Sequence, residues 1–183
     1  MTTIQINRAP VMTLWAAVVA ERLGYKREEA LTLGRAVAGL NAHAKALRVG
    51  IREPASPSRK GAATGEKAKP AAKEPDFIEL LGRSVPVVRT PKGVRAAKDG
   101  KPDSPDAVEK YLAAKFGDAL PAARAAMTAL AAAHPRNELA QQAYALYESF
   151  RPKIPAGARG WGAKGILDLA TIADLAPKQA KRR

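Results

Sequence analysis

The chain has 183 residues, no cysteine and a formal net charge of +14 at pH 7. The length admits one or two small domains with a real core. The missing cysteines exclude a disulfide framework and a thiolate metal site, which suits the cytoplasm, and no apolar run approaches the ~18–20 residues that span a bilayer, so no membrane partner is expected.

An excess of this size implies attraction to polyanions such as DNA and RNA. Its distribution is uneven. Residues 1–53 carry +4, 54–75 carry +3, 76–104 carry +2, 105–150 carry −1 and 151–183 carry +6. The charge is densest in a linker-like stretch and at the C-terminal end, the pattern of a binding surface and not of scattered arginine.

Residues 1–9 read as a short extended arm through Ile4 and Ile6. Residues 10–49 form the longest run with a helical period, and they predict a helical hairpin joined at Leu23-Gly24-Tyr25. The first helix should start at Pro10, whose fixed φ suits a first turn. Val11, Leu14, Trp15, Val18, Val19 and Leu23 then make one apolar face. Gly24 should end the helix in the left-handed cap. Arg8 followed by residues 11–20 imitates a secretory leader, but the apolar face continues past the would-be cut to Leu23.

In the second helix Ala30, Leu33, Val37, Leu40, Ala44 and Leu47 form a narrow packing seam. A second stripe of small residues, Ala30, Gly34, Ala38, Ala42 and Ala46, invites close approach of another helix. Gly34 and Gly39 each cost about 1 kcal/mol relative to alanine inside a helix. Close packing within the chain is the favoured reason, and a dimer face is the alternative. Ala20, Gly24, Leu31 and Leu33 fall loosely where a helix-turn-helix packs. The would-be recognition helix, however, opens Lys26-Arg27-Glu28-Glu29, whose acids suit a helix N-terminus and repel phosphate.

Residues 54–75, rich in Lys, Ala, Pro, Gly and Ser, have almost nothing to bury and read as a disordered basic linker. Structure should resume at Asp76. Phe77-Ile78-Glu79-Leu80-Leu81 is a short apolar patch. Val85–Arg89 and Val94–Ala97 flank the turn Thr90-Pro91-Lys92-Gly93 and predict a β-hairpin, with Pro86 implying an edge strand. Its Arg83, Arg89, Lys92, Arg95, Lys98 and Lys101 could form a wing on a phosphate backbone. Ser104-Pro105-Asp106 is a strong helix start. Three helices then follow: to Phe116, from an Asp118 cap to His134-Pro135, and from Arg136 to Phe150. Nearly neutral, they read as a scaffold bundle.

The C-terminal stretch holds Gly157, Gly160, Gly162 and Gly165 around Arg159, Trp161 and Lys164. Glycines let backbone N–H groups approach an anion. The run Gly160-Trp161-Gly162-Ala163-Lys164-Gly165-Ile166-Leu167 resembles the glycine hairpin of helix-hairpin-helix DNA-binding motifs. That resemblance implies Gly160 and Gly162 as hairpin glycines presenting amides to a phosphate, Trp161 as the apolar residue between them and Lys164 as a phosphate contact. It covers about eight residues and departs at Gly165. Trp161 could stack on a base or plug the loop onto the bundle. Leu167, Leu169, Ile172 and Leu175 should return to the core as a short helix or turn, before a basic tail over 177–183.

The two histidines, His43 and His134, have no ligand neighbours, and no HExxH, GxSxG, dinucleotide fingerprint or P-loop occurs. The reading is therefore a mainly α, non-enzymatic protein with no cofactor and no metal: a helical hairpin (1–53), the linker (54–75), a β-hairpin plus small helical bundle with a glycine-rich loop (76–176), and a tail (177–183). Packing of the N-terminal helices on the bundle would make the linker an insertion. The expected function is sequence-independent binding of DNA or another nucleic acid. Phosphate contacts are expected from Arg151, Lys153, Arg159, Lys164, Lys181, Arg182 and Arg183, together with Gly160, Trp161 and Gly162. A homodimer or protein partner on the small-residue face of the second helix is the alternative.

Overall fold

Eleven consecutive residues, Pro10 to Ala20, are buried in helix α1 (Arg8–Leu23). A helix that is apolar on one face would leave several of these in water; burial all round makes α1 the central element, packed on every side. The computed structural model describes residues 3–48, 76–98, 101–155, 157 and 164–176, and the expected linker and tail lie outside them. The helix begins two residues before the expected Pro10. Asn7 stands in extended conformation as the cap residue, which places Pro10 within the first turn, where its missing N–H still removes no helical bond. Gly24 takes the left-handed cap at φ 113°, and the N–H of Tyr25 returns to the Ala20 carbonyl at 3.0 Å.

Helix α2 (Arg27–Arg48) lies against α1. A Cβ on Gly34 would collide with the Thr13 carbonyl oxygen and stand 2.8 Å from the Ala17 nitrogen. The glycine is thus used for close approach within the chain, as expected. Gly39 faces open space, so its cost has no packing explanation.

The expected single hairpin is a four-stranded antiparallel meander: β2 (Asp76–Leu80), β3 (Arg83–Thr90), β4 (Gly93–Lys98) and β5 (Lys101–Pro102), in that spatial order. The apolar patch after Asp76 is its first strand. Pro86 does not mark an edge strand, since β3 lies between β2 and β4. It pairs with Phe77 on one side, while the β4 ladder covers only Val87 to Thr90. The proline therefore sits just outside the stretch where a donor toward β4 is needed.

Helix α3 (Pro105–Phe116) starts as expected, with the Ser104 hydroxyl accepting from the Ala107 N–H at 3.4 Å. Val108, Leu112 and Phe116 are buried. Asp118 does not cap the next helix. It lies within a 3₁₀ turn, Gly117–Ala119, that runs directly into α4 (Leu120–Ala132). Helix α5 (Arg136–Phe150) buries Leu139, Ala143, Tyr147 and Phe150. The N-terminal arm forms β1 (Thr3–Ile6) and pairs antiparallel with β6 (Gly165–Asp168), after which α6 (Leu169–Leu175) closes the described chain.

Helices thus carry most of the described residues, joined by two small antiparallel sheets. The buried apolar side chains of α1, α2, the meander, α3, α4, α5 and α6 form one cluster. Trp15 ties α1 to α5: its indole N–H donates to the Ala143 carbonyl at 2.8 Å, and its ring meets Phe150 edge-on at 5.3 Å. Among the described residues no helix is long and apolar enough to cross a membrane.

Candidate nucleic-acid interface

Strand β6 is paired on both sides. Its register with β1 sets Gln5 opposite Ile166 and Ile6 opposite Gly165. On the other side Lys153 exchanges both backbone hydrogen bonds with Ile166, at 3.1 and 3.0 Å. Beyond Phe150 the chain leaves α5 through Arg151, whose ψ of 149° is extended, and Pro152 brings it alongside β6. The approach is tight: a Cβ on Gly165 would stand 2.7 Å from the Pro152 Cβ and 2.8 Å from its carbonyl carbon. Gly165 therefore serves strand packing.

Arg8 joins this assembly from the far end of the sequence. Its Nε donates to the Pro152 carbonyl at 3.2 Å, and the Tyr147 hydroxyl donates to the Arg8 carbonyl at 3.4 Å. Burial pushes the Tyr147 phenol up to about 12, so it stays a neutral donor at any physiological pH. An open cleft of ≈360 Å³ lies here, lined by Arg8, Glu148, Ser149, Arg151, Pro152, Lys153 and Ile154. Arg151 is partly compensated by Glu148, one turn back, at 3.0 Å. Lys153 and Lys164 are exposed and form no ion pair among the described residues. Because Ile6 pairs with Gly165, Lys164 stands one step beyond that pair, beside the chain as it turns into Arg8.

Of the expected contact residues, Arg151 and Lys153 line the cleft with Arg8, and Lys164 precedes β6, two residues from the Ile166 that pairs with Lys153. Arg159, Gly160, Trp161, Gly162, Lys181, Arg182 and Arg183 lie outside the described residues. Arg8 was not among the expected contacts. Its partner Pro152 is 144 residues away, and nothing local signals the meeting. On its C-terminal side the resemblance to a helix-hairpin-helix is not followed. That motif needs a helix after the glycines, whereas Gly165, Ile166 and Leu167 are in a strand and the helix begins at Leu169.

The three arginines of the basic meander are held by partners, whereas Lys92 and Lys101 are exposed and form no ion pair among the described residues. Arg95 is buried, its guanidinium bound to the Glu28 carboxylate at 2.9 Å and to the Val94 carbonyl at 2.9 Å. Arg89 pairs with Asp76 at 2.8 Å, and Arg83 donates to the Asn41 side chain at 3.0 Å. The same contacts remove the helix-turn-helix reading, because the first turn of α2 is covered by β4. Glu29 accepts from the Lys26 N–H at 2.9 Å and the Val94 N–H at 3.0 Å. Partial burial pushes its carboxyl up, but those two N–H donors and the charges of Lys26 and Arg95 outweigh this, and the net shift is downward. Thr32 accepts from the Ala96 N–H at 3.1 Å. On the small-residue stripe of α2, Ala30, Gly34 and Ala38 are buried within the chain, and Ala42 is half-buried.

Among the described residues no group of three or more His, Cys, Asp or Glu could hold a metal ion. Comparison with known proteins finds no family model, no curated protein and no solved structure that matches this chain.

Proposed function

We propose that the chain binds nucleic acid, DNA in the first instance, through its phosphates and without regard to sequence. The observation that carries this reading is the cleft that brings Arg8 together with Arg151 and Lys153 from distant parts of the sequence, beside the strand that Lys164 precedes. The cleft beside them is open and contains one acid, Glu148, which is held by Arg151. The surrounding stretch 151–183 adds a net +6. Cations held at fixed spacing in high-dielectric surroundings attract phosphates and release counterions, and that release gives the binding its salt dependence. In this reading Arg159, Gly160, Trp161, Gly162, Lys181, Arg182 and Arg183, which lie outside the described residues, supply further contacts. No catalytic step is included.

The test is binding of a labelled, sequence-scrambled duplex across a salt series. The full chain should bind with log K falling steeply against log salt. A variant with Arg8, Lys153, Arg159, Lys164 and the tail cations neutralised should lose affinity and keep a shallower slope, by about 0.9 per contact removed. Absence of binding by the full chain at low salt would overturn the proposal.

A further inference from the structure

We propose that the outer face of the β1–β6 ribbon is the part that meets duplex DNA, with Ile166 as an apolar tip entering a groove between lysine contacts on the phosphates. This rests on the nucleic-acid reading above and adds which strand form is bound and by which face.

Directly paired residues in an antiparallel ladder share a face. The register therefore places Gln5 of β1, Ile166 of β6 and the bridged Lys153 in one row. The neighbouring row, Ile4 and Leu167, points the other way, and Leu167 is fully buried. Gln5 and Lys153 are exposed, and Ile166, between them, is 46% exposed. Lys164, two residues along β6 from Ile166, returns to the same outer face. The row thus reads amide, aliphatic, ammonium; along β6 on the same face Lys164 adds a second ammonium on one side of Ile166, and Asp168, engaged with the Ala170 N–H as the α6 cap, stands on the other. Neighbouring strands stand ~4.8 Å apart, so the row is about 10 Å across, comparable with the width of a duplex groove.

The chemistry favours a duplex over a single strand. Binding of single strands draws on aromatic faces that stack on unpaired bases, and this row offers none. A branched aliphatic tip flanked by cations suits a groove, where the cations take the phosphate walls and the apolar tip meets base edges or wedges between steps. An amide in the same row can bond to base edges or sugars. The exposed position of Ile166 leaves its side chain outside the core, so the face can be altered without unfolding the protein.

The experiment compares a labelled duplex with a single strand of the same sequence, using the full chain and three variants: Ile166→Ala, Gln5→Lys and, as a charge-matched control on the other sheet, Phe77→Lys. Circular dichroism melting confirms that each variant folds. Ile166→Ala should weaken duplex binding about 5-fold, leaving single-strand affinity and the salt slope unchanged. Gln5→Lys should tighten duplex binding and steepen the slope by about 0.9, whereas Phe77→Lys should leave the slope as it was. If the full chain binds duplex but Ile166→Ala does not weaken it and the two lysine variants behave alike, the ribbon face is overturned while nucleic-acid binding stands. Equal losses on duplex and single strand would overturn groove entry. Failure of the full chain to bind either form would overturn both proposals together.

Discussion

In the meander, Arg95 lies inside the protein against Glu28, Arg89 holds Asp76 and Arg83 holds Asn41. At the end of the ribbon, Lys153 and Lys164 reach solvent, and Arg8 and Arg151 line an open cleft. Both regions are basic in sequence, yet in the meander Arg83 and Arg95 bind sheet to helix and Arg89 binds strand to strand, leaving Lys92 and Lys101 exposed, whereas at the ribbon Lys153 and Lys164 face outward beside the cleft. A positive count alone therefore does not locate a polyanion footprint. What separates the two is how the acids are used: the meander's arginines meet Glu28 and Asp76, while at the ribbon Glu148 holds Arg151 and Asp168 caps α6 by accepting from the Ala170 N–H, leaving Lys153 and Lys164 without an acid partner among the described residues.

The largest effect expected of a single change is at the ribbon's own scaffold. Gly165→Ala sets a Cβ 2.8 Å from the Pro152 carbonyl carbon, where a backbone must move and not merely a side chain. Overpacking of this kind costs about 3 kcal/mol. It should separate β6 from Lys153, lower the urea midpoint and weaken duplex binding in parallel. A full-strength binder with unchanged stability would show that the cations act without the ribbon's geometry.

Arg95→Ala probes the other side of the comparison. The guanidinium is buried, whereas its partner Glu28 stays 63% exposed in its side chain, so the loss leaves no stranded buried acid. The expected destabilisation is about 2 kcal/mol, from lost charged hydrogen bonds and packing. Nucleic-acid affinity, measured where the variant is folded, should not change. A fall in the salt slope instead would place Arg95 among the phosphate contacts and remove the distinction between the two regions.

A smaller, pH-dependent effect should come from Glu29. Its folded pKa is lowered, so the stability it contributes is present above the ordinary glutamate range and is lost as pH falls through the depressed folded value. Glu29→Gln should cost about 1 kcal/mol at pH 7 through its weakened bonds to Lys26 and Val94. It should also flatten the stability profile on the acid side of pH 4.5. Denaturant titrations at pH 7 and pH 3 read both. An identical acid-side slope in the variant would assign the loss to another carboxylate.

How much of this was legible in the sequence depends on how local the cause is. Ser104-Pro105-Asp106 and the Gly24 cap could be read directly, because the groups that satisfy a helix end lie within a few residues of it. The run from Val11 to Ala20 carries almost no polar residue, and it was the assumption of a single apolar face that hid its central position. The two strands of the ribbon were not recognisable as partners, since Thr3 pairs with Asp168 and short apolar runs look alike as strand, turn or buried helix. The same distance hid Arg8. Of the candidate site, Arg151, Lys153 and Lys164 were legible as charge, but the seating of the Arg151–Lys153 segment beside β6 was not, because it depends on a glycine that lets Pro152 lie against the strand. The burial of Arg95 was illegible for the opposite reason: its alternation in β4 resembles that of a solvent-facing cation, and only the helix packed on the sheet takes it out of water.

The smallest change in stability should accompany the clearest change in binding. Lys153→Ala and Lys164→Ala alter exposed side chains with no ion pair among the described residues, so each should shift stability by no more than about 0.5 kcal/mol. If both lysines touch phosphate, each variant should reduce the slope of log K against log salt by about 0.9, and the double variant by about twice that. Contacts to separate phosphates should add, because they share no partner. Arg89→Ala supplies the matched comparison in the meander: it also removes one exposed cation, but one already bound to Asp76. Equal slope changes in all three would mean that net charge alone governs binding. A reduced slope for the two ribbon lysines and an unchanged one for Arg89 would show that the fold decides which cations are available to a phosphate.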